Sequence, residues 1–186
     1  MRPDAARLAV RSRMDWHEEP ISHAHRRADF DCGVDALNAY LHQYARQNHA
    51  NGGAKTYVAV PADDPTRVVG YYSIAPGLIE FEELPSDLRR QFGRYPIPVF
   101  VLARLAVEKS EQGHGLGTEL LLVAGVRALR VADEVGGFGL LIEAKNAAAA
   151  VWYQRLGAIP LTDSPLRLVL PFSTIARAVA QAGLTP

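Results

Sequence analysis

A short glycine-rich segment, QGHGLG at residues 112–117, is the part of the chain best suited to bind a charged ligand. It follows a nearly continuous apolar run and precedes a long amphipathic run. A loop with few side chains exposes its backbone N–H groups, and at the start of a helix these groups join the positive end of the helix dipole. Such a site suits a phosphate or a diphosphate. A turn that uses glycine only to bend is the alternative interpretation.

Two common nucleotide-binding motifs do not fit this segment. A dinucleotide-binding G-x-G-x-x-G motif that begins at Gly113 needs glycine where the chain has Thr118. A P-loop needs a Gly-Lys pair followed by Ser or Thr, and the sequence contains no Gly-Lys pair. What remains is the pattern Gln112-x-x-Gly115-x-Gly117 after an apolar run.

The other reactive side chains form no obvious set. Cys32 is the only cysteine, so the chain can form no internal disulfide. We expect a reducing compartment and a small buried side chain rather than a nucleophile. Two pairs of histidines lack a matching group of carboxylates or thiolates, which favours surface positions over a metal site. These histidines are His23, His25, His42 and His49.

Length and composition restrict the class of protein. The 186 residues suit a single domain over 1–186, with residues 1–14 expected to be flexible. A formal net charge of zero gives no overall attraction to nucleic acid or membrane, so an anionic partner needs a local basic patch. The chain has neither an apolar stretch of about 20 residues nor the apolar centre of a signal peptide, which predicts a cytoplasmic protein.

Hydrophobic periodicity predicts strands and helices that alternate along the chain. Asp31 or Asp35 is a candidate start for the first helix, and Ser86 and Asn146 are candidate N-caps of two later ones. The strand at 97–107 is almost uniformly apolar, which predicts burial on both faces. The predicted helices lie within 26–53, 83–96, 116–135, 146–157 and 173–184, and the predicted strands within 55–64, 67–81, 97–107, 136–144 and 166–172.

The order of strand, glycine turn, helix and strand within residues 97–144 implies two parallel strands joined by a right-handed crossover. The two earlier strands are close enough in sequence to pair as a hairpin, so we expect a mixed sheet. Together these elements predict an α/β fold with helices on both faces of the sheet.

The segments RLAVEKSEQGHGLGTELL at 104–121 and LLIEAKNAAAAVWYQRLGAIPL at 140–161 resemble the GCN5-related N-acetyltransferases (GNAT). The resemblance implies a mixed, mostly antiparallel twisted sheet with a splayed parallel strand pair. It also implies acetyl-CoA as the acetyl donor, with no metal. In this family the glycine turn binds the diphosphate through backbone N–H groups, and the splayed strand bonds the pantetheine arm.

The same resemblance implies roles for individual residues. Tyr153 matches a tyrosine that often protonates the departing thiolate, and a phenol with a pKa of about 10 still carries its proton at neutral pH. The alternatives are a core aromatic at Tyr153 and a simple helix cap at Asn146. The residues expected to contact acetyl-CoA are Leu105, Ala106, Val107, Gln112, Gly113, His114, Gly115, Leu116, Gly117, Thr118 and Asn146.

The predicted strand at 97–107 contains no carboxylate, and this bears on which amine accepts the acetyl group. Family members often deprotonate the amine with a carboxylate on or near this strand, but its only charged residue here is Arg104. A lysine amine, with a pKa of about 10.4, needs such help, whereas an α-amine, at about 7.7–8.0, is already partly neutral. The strand therefore favours an α-amine, and Glu143 is left as a candidate base acting through water.

A narrower resemblance spans about residues 15–175. DFDCG at 29–33, RYPIPVFVLARLAV at 94–107 and LVLPF at 168–172 resemble the acetyltransferase toxins of bacterial toxin–antitoxin pairs. This resemblance implies acetylation of the α-amine of aminoacyl-tRNA, which blocks translation. It also implies a ribbon-helix-helix antitoxin as partner and a homodimer.

Binding of tRNA requires cationic side chains against phosphates. The candidates are Arg89, Arg90, Arg94 and Arg104, with a solvated surface as the alternative, and the acidic EFEEL at 80–84 works against them. Two other functions stay open. One is a general small-molecule or protein N-acetyltransferase, and the other is a non-catalytic acetyl-CoA-binding regulatory module.

Overall fold

The computed structural model describes residues 15–181, so the predicted flexibility of 1–14 lies outside the described residues. The strands form a seven-stranded sheet in the order β1-β2-β3-β4-β5-β7-β6. β4 and β5 pair in parallel, while β1–β2, β2–β3, β5–β7 and β6–β7 are antiparallel, which confirms the mixed, mostly antiparallel sheet. The strands are β1 Trp16–Pro20, β2 Lys55–Pro61, β3 Gly70–Ile79, β4 Ile97–Val107, β5 Gly139–Glu143, β6 Ile159–Leu161 and β7 Ser164–Pro171.

The helices follow the sequence prediction closely. The helical region that ends before Gly52 contains α1 and α2, with a single π-helical turn at Tyr40–Tyr44 between them. Gly52 closes it in the left-handed conformation at φ +76°. Within residues 15–181 no helix is long and apolar enough to cross a membrane. The helices are α1 Asp35–Ala39, α2 Ala45–Asn51, α3 Ser86–Arg89, α4 Leu116–Val135, α5 Ala147–Arg155 and α6 Phe172–Gln181.

The described chain is organised as two compact units. The first unit contains residues 15–75 and 103–121, and the second contains 76–102 and 122–181. Strands β3 and β4 and helix α4 each contribute residues to both units. The glycine turn belongs to the first unit and Tyr153 to the second.

The core of the first unit packs α1, α2 and the segment before them against β2 and β3. Tyr71 lies at its centre, with the Phe30 ring edge-on at 5.6 Å between centroids and the Tyr40 ring stacked at 6.2 Å. The Tyr71 hydroxyl donates to the carbonyl of Leu37 at 2.8 Å, so its one polar atom is satisfied inside the core.

Sequence reasoning missed β1, the short edge strand that pairs with β2. Its sequence, WHEEP, is too polar and too short for a periodic pattern. Two side chains fix it instead: Trp16 Nε1 donates to Glu119 Oε2 at 2.6 Å, and the Tyr72 hydroxyl donates to Glu18 Oε2 at 2.6 Å. Long-range contacts therefore hold this strand.

The second unit has its own apolar core, formed by Ile79, Leu84, Ile97, Val99, Leu141, Leu161 and Val169. Two close approaches in this unit need glycine. A Cβ at Gly139 would lie 2.3 Å from the carbonyl oxygen of Leu170 on the paired strand β7. A Cβ at Gly125 on α4 would lie 2.5 Å from Ile175 Cδ1 on α6, so these two helices pack with almost no gap.

One local prediction is wrong and another holds in part. Ser86 is the first residue of α3 rather than its N-cap; Pro85 occupies the N-cap position, and no side chain caps the helix. The prediction that strand β4 is buried on both faces is confirmed in part. Side chains of a strand alternate between its two faces. Ile97 and Val99 are buried on one face and Leu102 and Ala106 on the other, while Pro98 and Ala103 are exposed.

Candidate functional site

The glycine turn at 112–117 links β4 to α4 after one short 3-10 turn. Gly113 and Gly115 adopt φ of +79° and +96°, which L side chains rarely reach. Apart from its two chain neighbours, no atom of the described residues would lie within 4 Å of a Cβ at Gly113, so its conformation, and not a close neighbour, requires glycine there. Leu116 is buried and anchors the start of α4, whereas Gln112 and His114 are exposed.

Over most of this turn the backbone N–H groups have no acceptor among the described residues. The N–H of Thr118 donates to the carbonyl of Gly115 at 3.0 Å, and that of Gln112 reaches the carbonyl of Lys109 at 3.4 Å. Between them, the N–H groups of 113–117 donate to no protein atom within residues 15–181. They lie at the N-terminus of a 20-residue helix, the place where an anion gains most from the helix dipole.

The end of β4 is only partly available to a ligand. The parallel register pairs Phe100 with Leu140 and Leu102 with Ile142, and β4 then runs beyond the end of β5 to Val107. The carbonyl of Val107 is already engaged, because Gln112 Nε2 donates to it at 2.9 Å. Sequence reasoning missed this side-chain role of Gln112, which the spacing between the two residues does not reveal. Leu105, Ala106 and Val107 stay predicted cofactor contacts, since a carbonyl oxygen can accept a second hydrogen bond.

Tyr153 lies on α5, in the second unit, and its side chain is half-buried. The Trp152 ring meets it edge-on at 4.8 Å between centroids. Burial raises the pKa of Tyr153 to about 12, because the charged phenolate would lose hydration. The phenol is therefore fully protonated at neutral pH, as a proton donor must be.

Asn146 caps α5 as the sequence predicts. Its Oδ1 accepts a hydrogen bond from the N–H of Ala149 at 2.9 Å. Gly157, just beyond the helix, has φ +102° and ends it. The cap accounts for the side-chain oxygen of Asn146 without a ligand, and a cofactor contact for this residue stays a prediction.

The four candidate arginines differ in their surroundings. Arg90 and Arg94 are exposed in the second unit. Arg89 instead donates from Nε to the carbonyl of Leu84 at 2.6 Å and lies over the Phe81 ring, so it holds its own loop together.

Arg104 belongs to the first unit and has a definite aromatic partner. Its guanidinium carbon lies 3.6 Å from the centre of the Tyr40 ring, a cation–π contact at the π-helical turn. The structure thus gives local contacts to two of the four arginines and leaves Arg90 and Arg94 as the exposed pair.

Cys32 is buried in the first core, as predicted. His25 is also buried, which corrects its expected surface position. Its Nδ1 accepts the Ser22 N–H at 3.0 Å and its Nε2 lies 3.2 Å from Glu19 Oε2, so hydrogen bonds offset the loss of water. Among residues 15–181 no group of three or more His, Cys, Asp or Glu side chains could hold a metal ion.

Comparison with known proteins gives a consistent family. The chain is 35% identical over 150 residues to a tRNA-acetylating toxin of Mycobacterium tuberculosis, covering 81% of this chain and 88% of that protein. It superposes on AtaT complexed with acetyl-methionyl-tRNAfMet with a TM-score of 0.82 at 30% identity, covering 88% of this chain and 98% of that one. No protein-family model matches the chain.

A second AtaT structure, a Tyr-to-Phe mutant bound to the C-terminus of the antitoxin AtaR and acetyl-CoA, matches with a TM-score of 0.75 at 28% identity. That match covers 90% of this chain and 99% of the other. These similarities agree with the structure, which has a mixed sheet with one parallel strand pair and a glycine turn at the start of α4. The chain belongs to the GNAT-fold acetyltransferase toxins of toxin–antitoxin systems.

Proposed function

We propose that this protein transfers the acetyl group of acetyl-CoA to the α-amine of an aminoacyl-tRNA. Acetylation removes that amine as a nucleophile for peptide-bond formation, so the protein acts as a translation-blocking toxin. The observation that carries the proposal is the row of N–H groups at 113–117, at the N-terminus of α4, in a chain 35% identical to a tRNA-acetylating toxin.

The turn is the proposed holder of the cofactor diphosphate. Its N–H groups offer several donors without a charged side chain, and the helix dipole adds a positive potential at the same place. The pantetheine arm is proposed to lie along the end of β4 at Leu105 and Ala106, where the strand has run past β5. No metal is needed, because the reaction requires only proton transfers and a positioned thioester.

Tyr153 is the proposed general acid. The amine nitrogen forms a bond to the acetyl carbon, the carbon–sulfur bond breaks with its electron pair on sulfur, and the phenol gives its proton to the thiolate. The ammonium nitrogen releases one proton to water, and the phenolate takes one proton back from water, so the enzyme regains its starting protonation state. The pKa of Tyr153, raised to about 12, keeps the proton in place at every physiological pH, which a proton donor requires.

An α-amine acceptor is supported by the composition of β4. The strand contains no carboxylate, and its one charged side chain, Arg104, is stacked on Tyr40. Glu143, at the end of β5, lies 3.6 Å from Arg167 Nε and is largely exposed. Because an α-amine is partly neutral at pH 7, such a weakly placed base is sufficient.

The proposal includes a protein partner. AtaT is seen bound to the C-terminus of its antitoxin AtaR, and we propose that this chain is likewise held inactive by an antitoxin. A ribbon-helix-helix antitoxin and a homodimeric toxin are the finer parts of this proposal. A dimer would let two modest basic surfaces act on one tRNA.

Incubation of the purified protein with bulk charged tRNA and labelled acetyl-CoA tests the acceptor directly. We expect label in the aminoacyl fraction, none in uncharged tRNA, and release of the label as N-acetylaminoacyl product on mild base treatment. Label only in lysine-containing peptides or small amines would instead identify a general N-acetyltransferase. Bound acetyl-CoA without turnover on any amine would identify a non-catalytic module.

A further inference from the structure

The DFDCG segment at 29–33 carries much of the sequence resemblance, yet the proposed reaction gives it no task. In the first unit this segment lies against the residues that lead into the glycine turn. Lys109 Nζ donates to Asp31 Oδ2 at 2.6 Å, and the Lys109 backbone N–H donates to the carbonyl of Asp31 at 2.8 Å. Both the side chain and the backbone of Asp31 therefore hold Lys109.

Hydrogen bonds from neighbouring residues also hold the Asp31 carboxylate in place. The N–H of Gly33 and the Nδ2 of Asn38 each donate to Asp31 Oδ1 at 2.8 Å, and Asn38 Oδ1 accepts the N–H of Cys32 at 2.9 Å. Lys109, followed by these donors, lowers the pKa of Asp31 to about 2. The carboxylate is thus ionised at any pH at which the protein functions.

Position 33 requires glycine for Lys109 to reach Asp31. Its φ is +82°, and a Cβ there would lie 3.1 Å from Lys109 Cε. The alkyl chain of Lys109 crosses the backbone of Gly33 on its way to Asp31. A side chain at position 33 would meet both backbone strain and the lysine stem.

Gln112 makes the second connection, at the first residue of the turn. Its Nε2 donates to the carbonyl of Cys32 at 2.9 Å and to the carbonyl of Val107 at 2.9 Å. One side-chain amide thus ties the start of the turn both to the DFDCG segment and to the end of β4. Arg67 holds the intervening residues from another direction, through Glu108 at 3.1 Å and Glu111 at 3.2 Å.

We propose that Asp31, Gly33, Lys109 and Gln112 form a positioning clamp that fixes the glycine turn in the geometry needed to bind a diphosphate. None of these side chains has to touch the ligand. Each N–H group of 113–117 must point at a phosphate oxygen at the same time, and a displacement of about 1 Å is enough to lose much of such binding. The inference rests on the proposed function, because it specifies how the cofactor site is held.

Gln112→Leu is the sharpest test, because leucine has a similar size and removes both amide hydrogen bonds while leaving every backbone N–H group. We expect the Kd for CoA, measured by calorimetry, to rise about tenfold or more. S-acetylpantetheine lacks the diphosphate, so kcat/KM with this donor should stay within about twofold of the wild-type value. A general loss of structure would instead weaken CoA binding and lower kcat/KM with S-acetylpantetheine by the same factor.

Gln47→Leu supplies the matched control, since Gln47 is an exposed residue of α2 in the same unit. Lys109→Met is the second variant; it keeps the alkyl stem over Gly33 but removes the charge that Asp31 binds. We expect a smaller loss of CoA affinity, about threefold, because the ion pair is exposed. Circular dichroism melts confirm that each variant is folded.

The outcomes separate the clamp from the proposed function. If the wild-type protein binds CoA and both variants bind it with the same Kd, the clamp is overturned and the proposed function is not. A loss of CoA affinity that is matched by an equal loss of kcat/KM with S-acetylpantetheine also overturns the clamp. Tight, clamp-dependent CoA binding without acetylation of any charged tRNA leaves the clamp intact and overturns the proposed substrate. A wild-type protein that binds no CoA overturns both.

Discussion

A single phenol carries the proton transfer proposed for this protein. Tyr153 is half-buried beside Trp152, and its pKa is raised because the site disfavours the phenolate. A group with a pKa of about 12 is a weak acid in water, but it needs to give its proton only as negative charge develops on sulfur. Its assigned role predicts a specific kinetic pattern.

Replacement of Tyr153 by Phe should leave CoA affinity nearly unchanged and lower kcat by a factor of about 10² or more. The phenyl ring keeps the packing against Trp152 and only the donor is lost. Calorimetry and initial rates with charged tRNA measure the two quantities. Tyr95→Phe, at an exposed tyrosine of the same unit, is the control, and an unchanged kcat in Tyr153→Phe would remove this residue from the mechanism.

The pKa of Tyr153 can be checked without substrate. Burial raises it from 10 to about 12, so the folded protein keeps this proton as the pH passes through 10. An ordinary tyrosine is about half ionised there. We expect the difference in tyrosinate absorbance between wild type and Tyr153→Phe to be close to zero at pH 10. A difference equal to half a tyrosinate would contradict the assignment.

The turn and the helix it opens act together as one element. A glycine turn alone would bend the chain, and α4 alone would present only a dipole. Combined, they place N–H groups that have no acceptor within residues 15–181 where the positive potential is greatest. The φ values of Gly113 and Gly115 are what bring the chain into this geometry.

Gly115→Glu should weaken CoA binding more than Gly115→Ala does. Both variants carry the strain of a side chain at φ +96°, but only glutamate adds a negative charge beside the proposed diphosphate. We expect a Kd for CoA at least about tenfold higher in the glutamate variant than in the alanine variant. Equal calorimetric affinities in the two variants would place the diphosphate elsewhere.

At the scale of the whole molecule, the neutral net charge makes tRNA binding a local property. Arg89 and Arg104 are committed to contacts within their own units, whereas Arg90 and Arg94 are exposed beside α3. If tRNA phosphates meet this surface, the exposed pair should release counterions when tRNA binds, and binding should weaken as salt increases.

The double variant Arg90→Ala/Arg94→Ala should therefore bind tRNA more weakly, and its slope of log K against log salt concentration should be shallower by about 1.5. Fluorescence anisotropy with labelled tRNA across a salt series measures both. Arg130→Ala, at an exposed arginine of α4, is the matched control. A slope identical to the wild type would place the tRNA on another surface.

Local chemistry in the sequence determined the parts of this protein that depend on nearby residues. The bounds of α4, the Asn146 cap, the Gly157 stop and the glycine turn each follow from the conformational preferences of adjacent residues. The parallel pairing of β4 and β5 follows from the strand–turn–helix–strand order.

The tertiary structure decided everything that needs partners far apart in the chain. Strand β1 exists through its pairing with β2 and the Trp16–Glu119 bond, which spans 103 residues. Asp31 meets Lys109 across 78 residues, and Gln112 meets Cys32 across 80. The raised pKa of Tyr153 comes from burial. No local pattern encodes such contacts, because they form only when the folded chain brings distant segments together.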